Sequence, residues 1–144
     1  MRTTTGLLFL LILAAGCTGP RAGDNGAIEI GDAWVRSAAA GATSAAYLRI
    51  SNGTDGSDTL VGVSTPAAAT ASIHQTMTDE GGMTGMHEAT LTIPAGETVA
   101  LAPGGYHVML TKLAADLEPG SEIQLTLTFE RAGPLVVTAQ VRGG

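Results

Sequence analysis

The chain has 144 residues, a length for one domain, and carries a formal net charge of −6 at pH 7. Its basic residues beyond Arg2 (Arg21, Arg36, Arg49, Lys112, Arg131, Arg142) are scattered, with no patch to neutralise a phosphate backbone, which argues against nucleic acid as a partner. Only 14 % of residues are charged and apolar residues alternate through most of the chain, so a folded domain is expected, with aliphatics building its core because aromatics make up only 3 %.

Residues 1–16 read as a lipoprotein signal peptide. Arg2 gives a short positive start and residues 7–15 form an apolar run, too short to span ~30 Å of hydrocarbon. Cys17 is the single cysteine, so no intrachain disulfide is available. The segment Leu13-Ala14-Ala15-Gly16-Cys17 resembles a lipobox, with Cys17 as the lipidated first residue of the mature chain. Residues 17–26 then form a lipidated cysteine and a Gly/Pro/polar tether. This places the folded part outside the cytoplasm, exported and held to the extracytoplasmic face of a bacterial membrane through its lipid alone.

From residue 27 to residue 142 the period is two. Strands are expected at 28–36, 46–51, 59–63, 71–74, 86–93, 98–101 and 106–113. Ile123, Leu125, Leu127 and Phe129 alternate with polar residues, and Leu135, Val137, Ala139 and Val141 repeat the pattern after a turn at Ala132-Gly133-Pro134. Residues 37–46 are helix-permissive but lack an apolar stripe. Seven to nine short strands at this spacing indicate an all-β, antiparallel β-sandwich or barrel of Greek-key type.

The soft and nitrogen ligands are unevenly spread. Apart from the initiator, all the methionines (Met77, Met83, Met86, Met109) and all the histidines (His74, His87, His107) lie between positions 74 and 109. Met77 and Met83 fall in a polar, Gly-rich stretch that reads as a loop, where a flexible thioether has no core to fill. His107 and Met109 are one residue apart; on a strand both point to one face while Val108 and Leu110 point to the core.

Thioether with imidazole selects Cu(I) over Ca, Mg or Mn, which want oxygen, and zinc would want thiolate or carboxylate. Thioethers carry no proton at ordinary pH and survive where thiols are oxidised. A site of two Met and two His leaves the ion's charge uncompensated, which suits transfer better than storage.

These residues resemble the periplasmic PCuAC copper-chaperone family. His74 is followed by Gln75, ten residues, Met86, twenty residues and then His107-Val108-Met109, against twenty-one in the family pattern, which leaves Met83 as an alternative to Met86. Asp32-Ala33-Trp34-Val35-Arg36, Ala45-Ala46-Tyr47-Leu48, residues 101–107 and residues 126–130 extend the resemblance over about 28–141.

The resemblance implies a cupredoxin-like fold with an exposed Cu(I) site at His74, Met86, His107 and Met109, with Met77 auxiliary. It implies a carrier, not an enzyme, delivering copper to a copper protein such as the dinuclear centre of cytochrome c oxidase subunit II, sometimes beside a thioredoxin-like copper carrier. His87 lies outside the pattern and, on a strand, points away from Met86. A blue-copper electron carrier is excluded because no cysteine follows position 17. A metallohydrolase would want a carboxylate base near an open metal position; Asp79 and Glu80 lie among the methionines, but nothing else assembles around them. The rival from another class is a membrane-anchored β-sandwich that binds a protein or solute without metal.

Overall fold

The computed structural model describes residues 26–144, and within them the alternating segments become ten strands with no helix. The signal peptide, Cys17 and nearly all of the tether lie outside the described residues. The strands are β1 (Ile28–Arg36), β2 (Ser44–Asn52), β3 (Asp58–Ser64), β4 (Ala68–Thr78), β5 (Thr84–Glu88), β6 (Leu91–Ile93), β7 (Thr98–Leu101), β8 (Tyr106–Leu113), β9 (Glu122–Phe129) and β10 (Gly133–Arg142).

They join edge to edge in the order β5-β4-β8-β2-β1-β10-β9-β3-β6, with β7 added beside β2. All pairings are antiparallel except β1 with β10, so the sheet is mixed where a purely antiparallel one was expected. The path curls into a β-sandwich around one aliphatic core. Val35, Ile50, Leu60, Ile93, Val108, Leu110, Leu125 and Leu127 are fully buried in it, each worth about 1.5–3 kcal/mol by burial.

Two sequence expectations change. Residues 86–93 are two strands: β5 pairs with β4 and β6 pairs with β3, at opposite ends of the path. Between them the Ala89 amide donates to the Ile73 carbonyl at 2.9 Å as the chain crosses over. The polar stretch after His74 is also not a loop. It is the end of β4, a tight turn, and β5. The Asp79 carboxylate accepts from the Met83 amide at 2.9 Å, and Gly82, at φ +78°, closes the turn with its N–H on the Asp79 carbonyl. Backbone pairing holds this hairpin without burial, which a hydrophobic pattern does not report.

A bulge in β1 decides which way the aromatics point. Ile28 and Ile30 pack on the core, yet so do Ala33 and Val35, two positions of opposite parity. The register with β2 shifts between Gly31 and Trp34, and Asp32 takes φ +52°. The extra residue turns Trp34 to the outer face. There it meets Tyr47, its cross-strand partner, at 4.6 Å between ring centroids, with the Arg142 guanidinium 5.5 Å over the indole.

Buried polar groups hold the connection from β2 to β3. Buried Asn52 donates to the Gly56 and Ile93 carbonyls, both at 2.9 Å, and accepts from Thr54. Buried Asp58 accepts backbone N–H bonds from Thr59, Arg131 and Ala132 at 2.8, 2.9 and 2.8 Å. Gly56 lets the Arg131 guanidinium lie directly over the backbone here, where a Cβ would push that flexible side chain aside.

Burial pushes the Asp58 carboxyl up, but these three donors and the Arg131 charge outweigh it and hold the group below its ordinary value. The folded protein therefore binds this proton less readily than the unfolded chain. The stabilisation is complete above the unfolded value and disappears as pH falls through the lower folded one, below about pH 4. Asp58→Asn is expected to cost about 2 kcal/mol at neutral pH. Urea melts at pH 7 and pH 3 check this, the gap between wild type and variant narrowing at the lower pH.

Candidate functional site

The candidate residues come together at the β5-β4-β8 end of the path. His74 on β4 and His107 on β8 are directly opposed across the ladder, and Ser72 is opposed to Met109. Directly opposed residues share a face, and Ile73, opposed to Val108, is on the other one, in the core. His74, His107 and Met109 thus project together from the outer face. β5 adds Met86, opposed to Thr76 and so on the same side. The spacing of positions 74, 86, 107 and 109 becomes one cluster because β4 has β5 on one flank and β8 on the other.

The two imidazoles are 5.9 Å apart between centroids and stacked at 28°. His107 Nδ1 lies 3.2 Å from the Gly105 carbonyl, which only accepts, so Nδ1 carries the hydrogen and Nε2 of the neutral ring keeps its lone pair. That Nε2 is buried and has no hydrogen-bond partner. His74 repeats the arrangement with the nitrogens exchanged. Its Nε2 lies 2.9 Å from the Ser72 hydroxyl, and its Nδ1 is buried and unpartnered.

Buried polar atoms are nearly always satisfied, so two orphaned nitrogens on one cross-strand pair form a defect that a ligand would relieve. A neutral imidazole fixed through one nitrogen by a carbonyl or hydroxyl is also how a metal-ligating histidine is held. Ser72 and Gly105 were not singled out in the sequence. The signal for Ser72 is its place two residues before His74, on the same face of a strand.

His107 is the floor of the site, only 4 % exposed, while Met86 is 57 % exposed at its rim. Both line an open cleft of about 350 Å³ together with Met109, Thr76, Tyr47 and Arg36. The resemblance implied an exposed centre; the structure has an exposed rim over a buried imidazole. The bulge in β1 matters here, because Trp34 backs Tyr47, which walls the cleft beside His107.

Met77 and Met83 are not part of this cluster. Met77 is opposed to Gly85 and faces the other side of the hairpin, and His87, opposed to Gln75, does the same. Among the described residues, no three His, Cys, Asp or Glu side chains converge as a metal site, so what gathers here is thioether and imidazole.

The family model for LpqE-like lipoproteins matches residues 28–141. The chain belongs to the LpqE-like lipoprotein family. The lipoprotein Lxx21020 of Leifsonia xyli subsp. xyli (strain CTCB07) is 39 % identical over 117 residues, covering 80 % of this chain and 69 % of that one. Among solved structures, the apo PCuAC domain of PmoF1 matches with a TM-score of 0.69 and 31 % identity, over 81 % of this chain and 94 % of that domain. The solution structure of Cu(I)-DR1885 from Deinococcus radiodurans matches at 0.62 and 34 %, over 84 % and 83 %. The copper-bound PCuAC domain of PmoF2 matches at 0.68 and 26 %, over 81 % and 93 %. The folded part of this LpqE-like chain is thus a PCuAC domain, with the all-β sandwich that its alternating sequence led one to expect.

Proposed function

We propose that this LpqE-like protein is a lipid-anchored copper chaperone outside the cytoplasm, binding Cu(I) through His74, Met86, His107 and Met109. The observation that carries the reading is the pair of buried, unpartnered nitrogens, His74 Nδ1 and His107 Nε2, beside two thioethers on one sheet face. Similarity to a copper-bound PCuAC domain and to Cu(I)-DR1885 supports the choice of ion. Met86 is preferred to Met83 because Met86 lines the cleft with His107 and Met109.

Copper is cargo in this reading. Two neutral imidazoles and two neutral thioethers leave the ion's charge uncompensated, and the exposed rim lets an acceptor's ligands enter as Met86 leaves. His107 would be the last ligand to let go, being buried and fixed by the Gly105 carbonyl. The acceptor proposed is a copper protein outside the cytoplasm, with cytochrome c oxidase subunit II the first to test and a thioredoxin-like carrier alongside. Anchoring is assigned to lipidated Cys17, with residues 17–26 as the tether and 27–142 as the copper domain.

The direct test is a competition titration of the leaderless protein with Cu(I) against a coloured chelator, with Zn(II) in parallel. Tight Cu(I) uptake with little zinc is expected. His107→Ala with Met109→Ala should weaken Cu(I) binding by at least about 100-fold while the β-sheet circular dichroism persists. Equal Cu(I) binding by the double variant would remove the site from consideration.

A further inference from the structure

The β4–β5 hairpin has a second face, and that face carries the ligands the first site leaves unused. Gln75 is opposed to His87 and Met77 to Gly85, so these residues share the side away from His74, Thr76 and Met86. The pairing continues into the turn, where the Asp79 N–H donates to the Met83 carbonyl at 2.9 Å. Met83 is thereby opposed to Asp79 and stands on the same side as Met77 and His87. Met77, Met83 and His87 thus occupy successive rungs of one short ladder.

Gly85 brings them closer than alternation alone. A Cβ built on Gly85 would lie 3.4 Å from His87 Nε2, so the imidazole leans along β5 over the glycine, toward the rung that Met77 faces. Met77 is 52 % exposed and Met83 75 %, at the tip of a hairpin with no core beneath them. Together with His87 and Asp79 they line a shallow concavity of about 360 Å³.

We propose that Met77, Met83 and His87 form a second site for a soft monovalent cation, Cu(I) or Ag(I), on the hairpin face opposite the first. Two thioethers and one imidazole make a neutral, three-ligand set that needs no deprotonation beyond the imidazole and disfavours oxygen-seeking ions. The Asp79 carboxylate at the turn supplies nearby negative charge. The hairpin backbone separates the two faces, so neither site shares an ion with the other. The first is half-buried and holds its ion until an acceptor's ligands displace it at the exposed rim. The second is open to solvent on all its ligands and suits capture. The identity of the biological ion rests on the copper reading above; the ligand set rests on the hairpin's register.

The test is a titration of the protein, labelled with 13C at the methionine methyls, with Ag(I) and then with Cu(I) under reductant. Two equivalents are expected to bind. The first should shift the Met86 and Met109 methyls, and the second the Met77 and Met83 methyls with the His87 ring. A variant with Met77→Leu, Met83→Leu and His87→Ala, all exposed positions, should bind one equivalent and keep the Met86 and Met109 shifts. His107→Ala with Met109→Ala should also bind one, seen at Met77 and Met83.

If Met77 and Met83 stay unmoved through two equivalents while Met86 and Met109 respond, the second site is overturned and the copper reading stands. If only Met77 and Met83 respond, the second site stands and the first ligand assignment falls. If no methyl moves, both fail.

Discussion

Saturating Cu(I) is expected to raise the melting temperature of this protein by about 15 °C. The four ligands sit on three strands and meet only because β4 pairs with both β5 and β8, so the unfolded chain has no such site. Binding free energy is then folding free energy. At a free Cu(I) concentration buffered to a thousand times the dissociation constant, the stabilisation is about 4 kcal/mol. A domain of this size shifts by about 4 °C per kcal/mol, which gives the figure. Differential scanning fluorimetry on Trp34, under reductant and a copper buffer, reads it directly. Zn(II) in the same experiment should do little, for want of a thiolate or carboxylate in the cluster. A Cu(I) shift below about 2 °C at that excess would mean that the cluster does not bind the ion as proposed.

How far the sequence reveals such a site depends on what holds each part of it. β1, β7 and β8 are legible to the residue because alternating core-facing residues mark their span, with one shift of parity at Asp32 in β1 and one at Lys112 in β8. The same alternation puts His107 and Met109 on one face and Val108 and Leu110 on the other. It fails where burial is not the cause of structure. The hairpin after His74 is held by backbone pairing and by Asp79 in its turn, and its polar, Gly-rich composition imitates a loop.

The split of 86–93 does leave a trace. His87 is exposed although it shares the parity of buried Leu91 and Ile93, which a single regular half-buried strand does not do. The bulge at Asp32 leaves a similar one, since Ile28, Ile30, Ala33 and Val35 change parity in mid-strand. Neither the parallel pairing of β1 with β10 nor the direct opposition of His74 and His107 is written locally. Both follow from which strands become neighbours, a long-range property of the packed sheet.

The second large effect runs against intuition about conserving a buried side chain. His107→Leu is expected to stabilise the metal-free protein by about 1–2 kcal/mol, a rise of about 4–8 °C, while removing Cu(I) binding at the first site. His107 Nε2 is buried without a partner, and an unsatisfied buried polar atom costs about 1–3 kcal/mol. Leucine is apolar, of similar size, and well suited to a strand position between Tyr47 and Met109. The hydrogen bond lost is small in consequence, because the Gly105 carbonyl also accepts from the Thr76 amide at 3.1 Å and stays paired. His107→Ala should behave differently. It removes the same nitrogen but opens a cavity in a position only 4 % exposed, and so should destabilise. The comparison separates two explanations of why a histidine sits there. If the imidazole were part of the scaffold, leucine and alanine would both lower the melting temperature. If it is held there for a ligand, leucine raises it and saturating Cu(I) no longer produces the shift seen in wild type. The fold would then be carrying a local instability whose only relief is the bound ion, the trade between stability and function that a preformed binding site requires.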